Sequence, residues 1–338
     1  MCYKEAAIVA EFKNIWVYAE LAGEAPAPVV YELLAKAREL ARPGGQRVVA
    51  VLLGHETGQS AEELLAFGAD EVLRVASTHL ADYKPRPYAW VLERLVRQHA
   101  PSIFLFGATA QGRDLAPRLQ GKLLTGLTAD CLDLRLDEQG RLVQIKPSFG
   151  DNVMCSIICP EARPQMATVR PKVFSPLARR ADAAGEIIDQ NLEVPADDDY
   201  RVLDHSPLPS AGQDITTAEI IVALGRGAAT EKAAETARQL AQALRGALAV
   251  TRPLTEDGRF SRDLLIGQSG QTVKPKCILN FGISGAIQYT VAMREAGLII
   301  SVNRDEEAPI FSLSHYGSTA DAEELLAALL QEVEKYRQ

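Results

Sequence analysis

Cysteine, aromatic residues and blocks of basic charge are all scarce in this 338-residue chain. Its five cysteines (Cys2, Cys131, Cys155, Cys159 and Cys277) are odd in number, so free thiols are expected rather than a disulfide framework. Cys155 and Cys159 flank Ser-Ile-Ile, a spacing that suits neither a zinc knuckle nor a redox pair, and no four-cysteine pattern supports an iron–sulfur cluster. No apolar run reaches the roughly eighteen residues that a membrane span needs, and no secretory or transit segment is evident. A cytoplasmic protein without membrane insertion is the expectation. Lysine and arginine total 36 against 44 acidic residues, a net charge of -8 without a basic stretch, which argues against nucleic acid as a partner.

Catalytic patterns are missing as well. His55, His79, His99, His205 and His315 form no His-Glu-x-x-His or other metal spacing, so no metal site is expected. There is no Gly-x-Ser-x-Gly nucleophile elbow, and the carboxylates fall mostly on helix faces, where solvation explains them. A cofactor binder without its own acid–base machinery fits these absences better than a hydrolase, and no catalytic residue is assigned.

What is present is ordinary globular material, 47% hydrophobic and 24% charged, long enough for two domains. Strands are predicted at Asn14–Glu20, Arg47–Gly54, Glu71–Val75 and Ser102–Gly107, the second of them an uninterrupted apolar run that suits burial on both faces. Helical spacing occupies Val29–Ala41, a segment opening at Ser60 with Glu63 as a capping box, Tyr88–His99, and the run after Gly107. The alternation predicts a mostly parallel sheet with right-handed crossovers. After Gly126 come short strand-like pieces at Cys131–Leu136, Leu142–Pro147, Asn152–Cys159 and Gln165–Arg170, with Asp-Glu-Gln-Gly as a hairpin turn, expected to add strands to one side of that domain. Lys172–Asp204 turns polar and reads as a linker or surface-hugging excursion, with the domain boundary near Pro207–Gly212. The fold class is therefore α/β: an N-terminal mostly parallel domain with added strands over residues 1–206, and a C-terminal doubly wound domain over 207–338.

The second domain restarts the rhythm with strands at Glu219–Leu224, Leu248–Arg252, Cys277–Phe281, Leu298–Val302 and Pro309–Leu313, and helices at Thr230–Leu244 and Asp321–Tyr336. Its strand ends carry the chemistry. Gly225, Arg226 and Gly227 follow the first strand and would let backbone approach a cofactor, although Thr230 stands where the dinucleotide fingerprint has its last glycine, and a plain tight turn looks the same. Arg252 ends the second strand, where a guanidinium can meet a phosphate or a reduced ring, or simply form a surface ion pair. Gln268 and Ser269, bracketed by Gly267 and Gly270, can read the edge of a heteroaromatic ring or build a hairpin. In Gly282–Tyr289 a glycine ends a strand and Ser284 is placed to cap a helix, offering free N–H groups to a pyrophosphate. Asn303 and Asp305 can hold hydroxyls or form an Asx turn, and Asp321 can do either at the start of the last helix.

GQSGQTVKPKCILNFGISGAIQYTVAM and SVNRDEEAPIFSLSHYG closely resemble the electron transfer flavoprotein alpha subunit. The likeness runs over the whole chain through IWVYAE, GRDLAPRL, TGLTADCLDL and FGDNVMCSIICPEARPQMATVRPKVF. The resemblance implies FAD held mainly by the C-terminal domain, and an N-terminal domain contacting a beta subunit of related fold. It sets Gly225, Arg226 and Gly227 at the first cofactor-facing turn, with Thr251 and Arg252 by the isoalloxazine ring, where the arginine favours anionic reduced forms. Gln268, Ser269, Gly270, Gln271 and Thr272 fall at the flavin edge. Gly282, Ser284, Gly285, Ala286, Ile287, Gln288 and Tyr289 cover the phosphate, ribityl and ring region. Asn303 and Asp305 lie beneath the pyrophosphate, and Asp321 at the adenosine end.

Two residues depart from the family pattern. Tyr289 stands where many members have a histidine donor near the flavin, a change that keeps a hydrogen bond but not a positive charge, and Gln271 replaces a common lysine. PQMATVRP and TRPL resemble the nitrogen-fixation-associated and electron-bifurcating branch. There the beta subunit is expected to hold a second FAD, take electrons from NADH, and share them between ferredoxin or flavodoxin and, through this subunit, an acyl-CoA dehydrogenase or relative. In the conventional branch the beta subunit carries AMP and acyl-CoA dehydrogenases are the donors. A structural subunit with a vestigial pocket and an independent nicotinamide dehydrogenase are the readings from other classes.

Overall fold

The run Val-Val-Ala-Val-Leu-Leu-Gly lacks the polar alternation of a half-exposed strand, and in the computed structural model it is a strand buried along its whole length. The structure describes residues 12–148, 153–181, 184–199, 201–204 and 214–336. Residues 1–11 with Cys2, residues 149–152 at the start of the Asn152–Cys159 run, His205 and the boundary expected at Pro207–Gly212 lie outside the described residues. The chain divides into two compact units, Met1–His205 and Ser206–Gln338.

The first unit runs β1 (Ile15–Ala19), β2 (Leu21–Ala22), β3 (Ala25–Pro26), α1 (Pro28–Ala41), β4 (Val48–Gly54), α2 (Gly58–Ala66), β5 (Glu71–Ala76), α3 (Pro85–His99), β6 (Ile103–Gly107) and α4 (Ala110–Leu123). It continues with β7 (Leu127–Cys131), β8 (Asp133–Leu136), β9 (Leu142–Ser148), β10 (Val153–Ile158), β11 (Gln165–Val169) and β12 (Glu186–Asp189). Seven strands form one sheet in the order β12-β5-β4-β1-β6-β11-β7, every pairing parallel. The strand period of two divides its side chains between two cores. Ile15, Val17, Val48, Ala50, Leu52, Ile103 and Leu105 pack with Leu33, Leu34 and Ala37 of α1 and Leu64 of α2. Trp16, Tyr18, Val49, Val51, Phe104 and Phe106 pack with Val91, Leu92 and Leu95 of α3 and Leu115 and Leu119 of α4. Each fully buried leucine is worth roughly 1.5–3 kcal/mol, which is why helices must cover both faces.

Local sequence signals met tertiary constraints in several places. Ser60 does not start α2: the helix begins at Gly58 after Thr57, and the Ser60 hydroxyl donates to the Glu24 carbonyl at 2.6 Å. The expected strand Cys131–Leu136 breaks at Leu132 into β7 and β8, which serve different sheets. The added strands do not all extend one side of the parallel sheet. Strand β11 inserts between β6 and β7, while β8, β9 and β10 form a separate antiparallel sheet with the Asp137–Gly140 turn as its hairpin. The described part of the polar Lys172–Asp204 stretch hugs the surface of this unit, and its β12 pairs with β5, where Arg74 binds Asp189 at 2.6 Å. Cys131, Cys155, Cys159 and Cys277 are free thiols.

The second unit contains β13 (Ile220–Leu224), α5 (Glu231–Ala243), β14 (Ala247–Val250), α6 (Arg252–Glu256), β15 (Cys277–Phe281), α7 (Ile287–Thr290), β16 (Leu298–Val302), β17 (Tyr316–Ser318) and α8 (Ala322–Lys335). Its five strands are parallel in the order β14-β13-β15-β16-β17, a doubly wound sheet. Thr230 caps α5 by accepting the Ala233 N–H at 3.0 Å, and α5 packs beside α8. Pro309–Leu313 is a 3₁₀ turn rather than the expected strand, with proline at its start; the fifth strand comes later, at Tyr316. Among the described residues no helix is long and apolar enough to cross a membrane.

Candidate functional site

In the second unit β13 is followed by β14 on one side and paired with β15 on the other, so connections diverge from between β13 and β15. Open α/β sheets bind ligands at the carboxyl ends of strands at such a point. The turns that leave β13, β14, β15 and β16 all open there, onto a cleft of about 710 Å³, within the range of cofactor sites.

Glycine lets the two central turns approach each other. Gly225 and Gly227 lie against Gly282, and a Cβ on Gly225 would come within 2.3 Å of the Gly282 carbonyl oxygen. Gly282 itself has φ 64°, and its own Cβ would meet the Ala228 nitrogen at 2.4 Å, so no larger residue fits. The Gly227 N–H donates to the Gly282 carbonyl at 3.0 Å, locking the pair. No Cβ stands between the glycines of the two turns, and the Ile283 side chain packs beside Gly225.

Of the residues singled out in the sequence, Gly225, Arg226, Gly227, Thr251, Arg252, Gln268, Ser269, Gly282, Ser284, Ala286, Gln288, Tyr289, Asn303 and Asp305 line this one cleft. Gly270, Gln271, Thr272, Gly285, Ile287 and Asp321 do not. Gly270 packs on Leu265, and the Gln271 N–H donates to the Leu265 carbonyl at 2.7 Å, so these two hold the Gly267–Gln271 turn in shape. Gly285, at φ 86°, lets the backbone pass Ile310. Asp321 is the N-cap of α8, accepting from Glu323 and Glu324 at 2.9 Å and pairing with Arg304. The Glu324 N–H first, then Arg304, hold its carboxyl below the usual range.

Other expectations also shift. Arg252 does not end a strand: it opens α6 after Thr251, with its guanidinium exposed and bound to Glu256 at 2.8 Å, one helical turn on. Ser284 does not cap α7, whose N-cap is Ala286, and that helix is only four residues long, too short for much of a dipole. What the segment offers instead is backbone: the amides of Ile283 and Ser284, both on the cleft, have no acceptor among the described residues. Asn303 builds the Asx turn, accepting the Asp305 N–H at 3.0 Å while its amide donates to the Ile283 carbonyl at 2.9 Å, which leaves it one hydrogen and one lone pair. The Tyr289 hydroxyl donates to Asn280 inside the core, and burial pushes the phenol well up.

Pro253 after Arg252, Gly267 beside Gln268 and Ile283 after Gly282 also line the cleft, as do Leu265 and Ile266, which belong to no motif read from the sequence. Their signal lay in Asp-Leu-Leu-Ile-Gly, an apolar run that returns to the sheet edge, where the Ile266 N–H donates to the Val250 carbonyl at 3.1 Å. The Gln268 N–H then donates to the Gln288 carbonyl at 2.7 Å, tying the polar Gln268–Ser269 pair to the start of α7. Among the described residues no group of three His, Cys, Asp or Glu is placed to hold a metal. Two arginines, unpaired amides and glycine turns suit a phosphate-bearing cofactor with a ring.

Two family models account for most of the chain: the electron transfer flavoprotein domain over residues 15–195 and the electron transfer flavoprotein FAD-binding domain over residues 214–294. The electron transfer flavoprotein subunit alpha of Thermoanaerobacterium thermosaccharolyticum is 37% identical over 328 residues, covering 97% of this chain and 99% of that protein. The lactate dehydrogenase (NAD(+),ferredoxin) subunit LctC of Acetobacterium woodii is 40% identical, covering 96% of this chain and 77% of that one. Protein FixB of Azorhizobium caulinodans is 38% identical over 95% of this chain and 88% of its own length. A solved thiamine diphosphate-dependent 4-hydroxybenzoylformate decarboxylase from Rhodococcus jostii RHA1 aligns at TM-score 0.22 and 14% identity over 90% of this chain and 54% of that one, too little to bear on fold or function. With both halves matched in order and relatives alike from end to end, the chain belongs to the electron transfer flavoprotein alpha-subunit family, the group that includes FixB, and its second unit carries the family's FAD-binding domain.

Proposed function

We propose that the cleft of the second unit holds FAD, and that the chain passes electrons between a flavin on a beta-type partner subunit and an acyl-CoA-type dehydrogenase within an NADH-dependent bifurcating complex. The flavin, when bound, supplies one- and two-electron chemistry that no side chain here provides. The chain's part is to bind, orient and bias. Gly225, Gly227 and Gly282 keep side chains off the diphosphate, and the amides of Ile283 and Ser284 donate to it. Arg252 brings positive charge beside the ring, sharing its guanidinium with Glu256. Gln268 and Ser269 meet the ring edge, while Asn303 and Asp305 take the ribityl end. Residues 1–206 form the domain that meets the beta subunit, and residues 207–338 the domain that holds the cofactor.

The observation that carries this reading is the convergence of four successive strand ends on one open, arginine-bearing cleft. That openness counts against a vestigial pocket, and the missing last glycine of the fingerprint against an independent nicotinamide dehydrogenase. The bifurcating branch is favoured by a relative whose name couples NAD(+) with ferredoxin. The test is flavin stoichiometry of the native heterodimer together with NADH reduction. Two FADs, with NADH-dependent reduction of both a low-potential carrier such as ferredoxin or flavodoxin and the dehydrogenase, support bifurcation. One FAD with AMP in the beta subunit and no NADH reactivity returns the conventional reading. Protein that stays colourless with FAD and its partner present ends both.

A further inference from the structure

Tyr289 is the only aromatic side chain among the described residues that line the cleft, and its polar end is turned to other use. Its hydroxyl lies 2.5 Å from Asn280 Oδ1, with Tyr289 5% and Asn280 1% exposed. Asn280 sits on β15 directly opposite Ser301 of β16 and donates from Nδ2 to the Ser301 hydroxyl at 3.1 Å. Ser301 and Ser314 are 2.7 Å apart, and Ser314 is 2.8 Å from the Ile310 carbonyl. A carbonyl only accepts, so Ser314 spends its single proton there and Ser301 must donate to Ser314. Only one direction then leaves no hydroxyl hydrogen unpaired: Tyr289 to Asn280, Asn280 to Ser301, Ser301 to Ser314, Ser314 to Ile310. The Ile310 N–H closes the circuit by donating to the Ser284 carbonyl at 3.1 Å, on the same cleft-lining segment as Tyr289.

A buried polar chain in which each hydroxyl has an acceptor is rigid, and one missing member leaves its neighbour unsatisfied in the core. The sequence led to the opposite use of this tyrosine, as a donor to the ligand. We propose that Asn280 is a positioning residue of the cleft: by holding the Tyr289 hydroxyl within the sheet, it makes position 289 present ring carbon instead of a hydrogen-bond donor to the flavin. This rests on the FAD reading above. Negative charge on the bound ring is then met by Arg252, with no help from the phenol. Asn280 touches no ligand and acts only through Tyr289.

The test compares the full chain with Tyr289→Phe, Asn280→Ala and the double variant, reading FAD affinity, the flavin visible spectrum and an equilibrium redox titration. Tyr289→Phe is expected to leave spectrum, titration and affinity as in the unchanged protein while lowering the thermal midpoint, because it orphans Asn280. Asn280→Ala releases the hydroxyl and is expected to alter the spectrum and shift FAD affinity about five- to tenfold, the worth of one hydrogen bond. The double variant should return to the spectrum of Tyr289→Phe, a rescue that a merely structural asparagine does not produce. A changed spectrum or redox titration in Tyr289→Phe alone, which keeps the ring's volume and so decides the matter even where Asn280→Ala does not fold, overturns the proposal. So does an Asn280→Ala protein that folds and matches the unchanged chain. If the unchanged chain takes up no FAD with its partner, the FAD reading itself is what has failed.

Discussion

Both units are parallel α/β sheets with a point from which the connections diverge, yet the two points are built from different residues. In the first unit it falls between β1 and β6, and side chains span it: Thr109 donates to Glu20 Oε2 at 2.5 Å, and the Gln111 amide donates to the Tyr18 hydroxyl at 2.5 Å. In the second it falls between β13 and β15, and the turns there are Gly225–Gly227 and Gly282. One crevice is bridged by its own polar groups and the other is kept clear. Topology offers a site in both cases, and the residues at the strand ends decide whether a ligand or the protein itself occupies it.

The severest way to break this contrast is Gly282→Val. The φ of 64° and the contact with the Ala228 nitrogen leave no room for a side chain, so the second unit should lose roughly 2–4 kcal/mol of stability and its retention of FAD. Retained flavin after gel filtration would show the glycine turn to be dispensable. Leu33→Ala probes the other side. It opens a cavity under the fully buried α1 face and should cost about 2–5 kcal/mol in denaturant unfolding of the first unit, with FAD affinity unchanged. A parallel loss of FAD affinity would mean that the units do not divide the labour as argued.

Arg252→Gln is a smaller change, because the guanidinium is exposed and already shared with Glu256. It should keep FAD bound but weaken the preference for a negatively charged ring by roughly 1.5–3 kcal/mol, read as a lower flavin potential. An unaltered redox titration rejects the arginine's role.

The gentlest test is Glu20→Gln. Burial raises the Glu20 carboxyl above its usual range, with the Thr109 hydroxyl partly opposing it. A folded-state value above the unfolded one means that the native state holds the proton more tightly. The associated stabilisation is thus fully present below about pH 4.5 and is lost as pH rises through the raised value. Glutamine carries no such titration, so the stability of the variant relative to the parent should improve from acid towards neutral pH. A difference that stays flat across that range would show that Glu20 does not carry the bridge.

How much of this was legible beforehand follows from the range of each interaction. Val48–Gly54 and Ile103–Gly107 could be read as doubly covered strands because a two-faced environment demands unbroken apolar runs. The glycine turns were legible because a backbone at φ 64° leaves few other choices. By contrast β12, Glu-Ile-Ile-Asp inside a polar stretch, is a strand only because the open edge of β5 lies beside it. Ser60 reads as a cap until Glu24 is near enough to take its hydroxyl. Asp321 reads equally as a helix cap or a ligand contact, and the fold makes it the cap of α8, paired with Arg304 from another turn.

The sequence alone determined that two α/β units would form and that the second would turn on glycine at its strand ends. These follow from periodicity, backbone freedom and residue type, which act over a few neighbours. Tertiary structure decided where polar groups point. Tyr289 could donate outward or inward until β15 and β16 set Asn280 and Ser301 opposite each other, and a buried hydroxyl takes the partner that the fold places within reach.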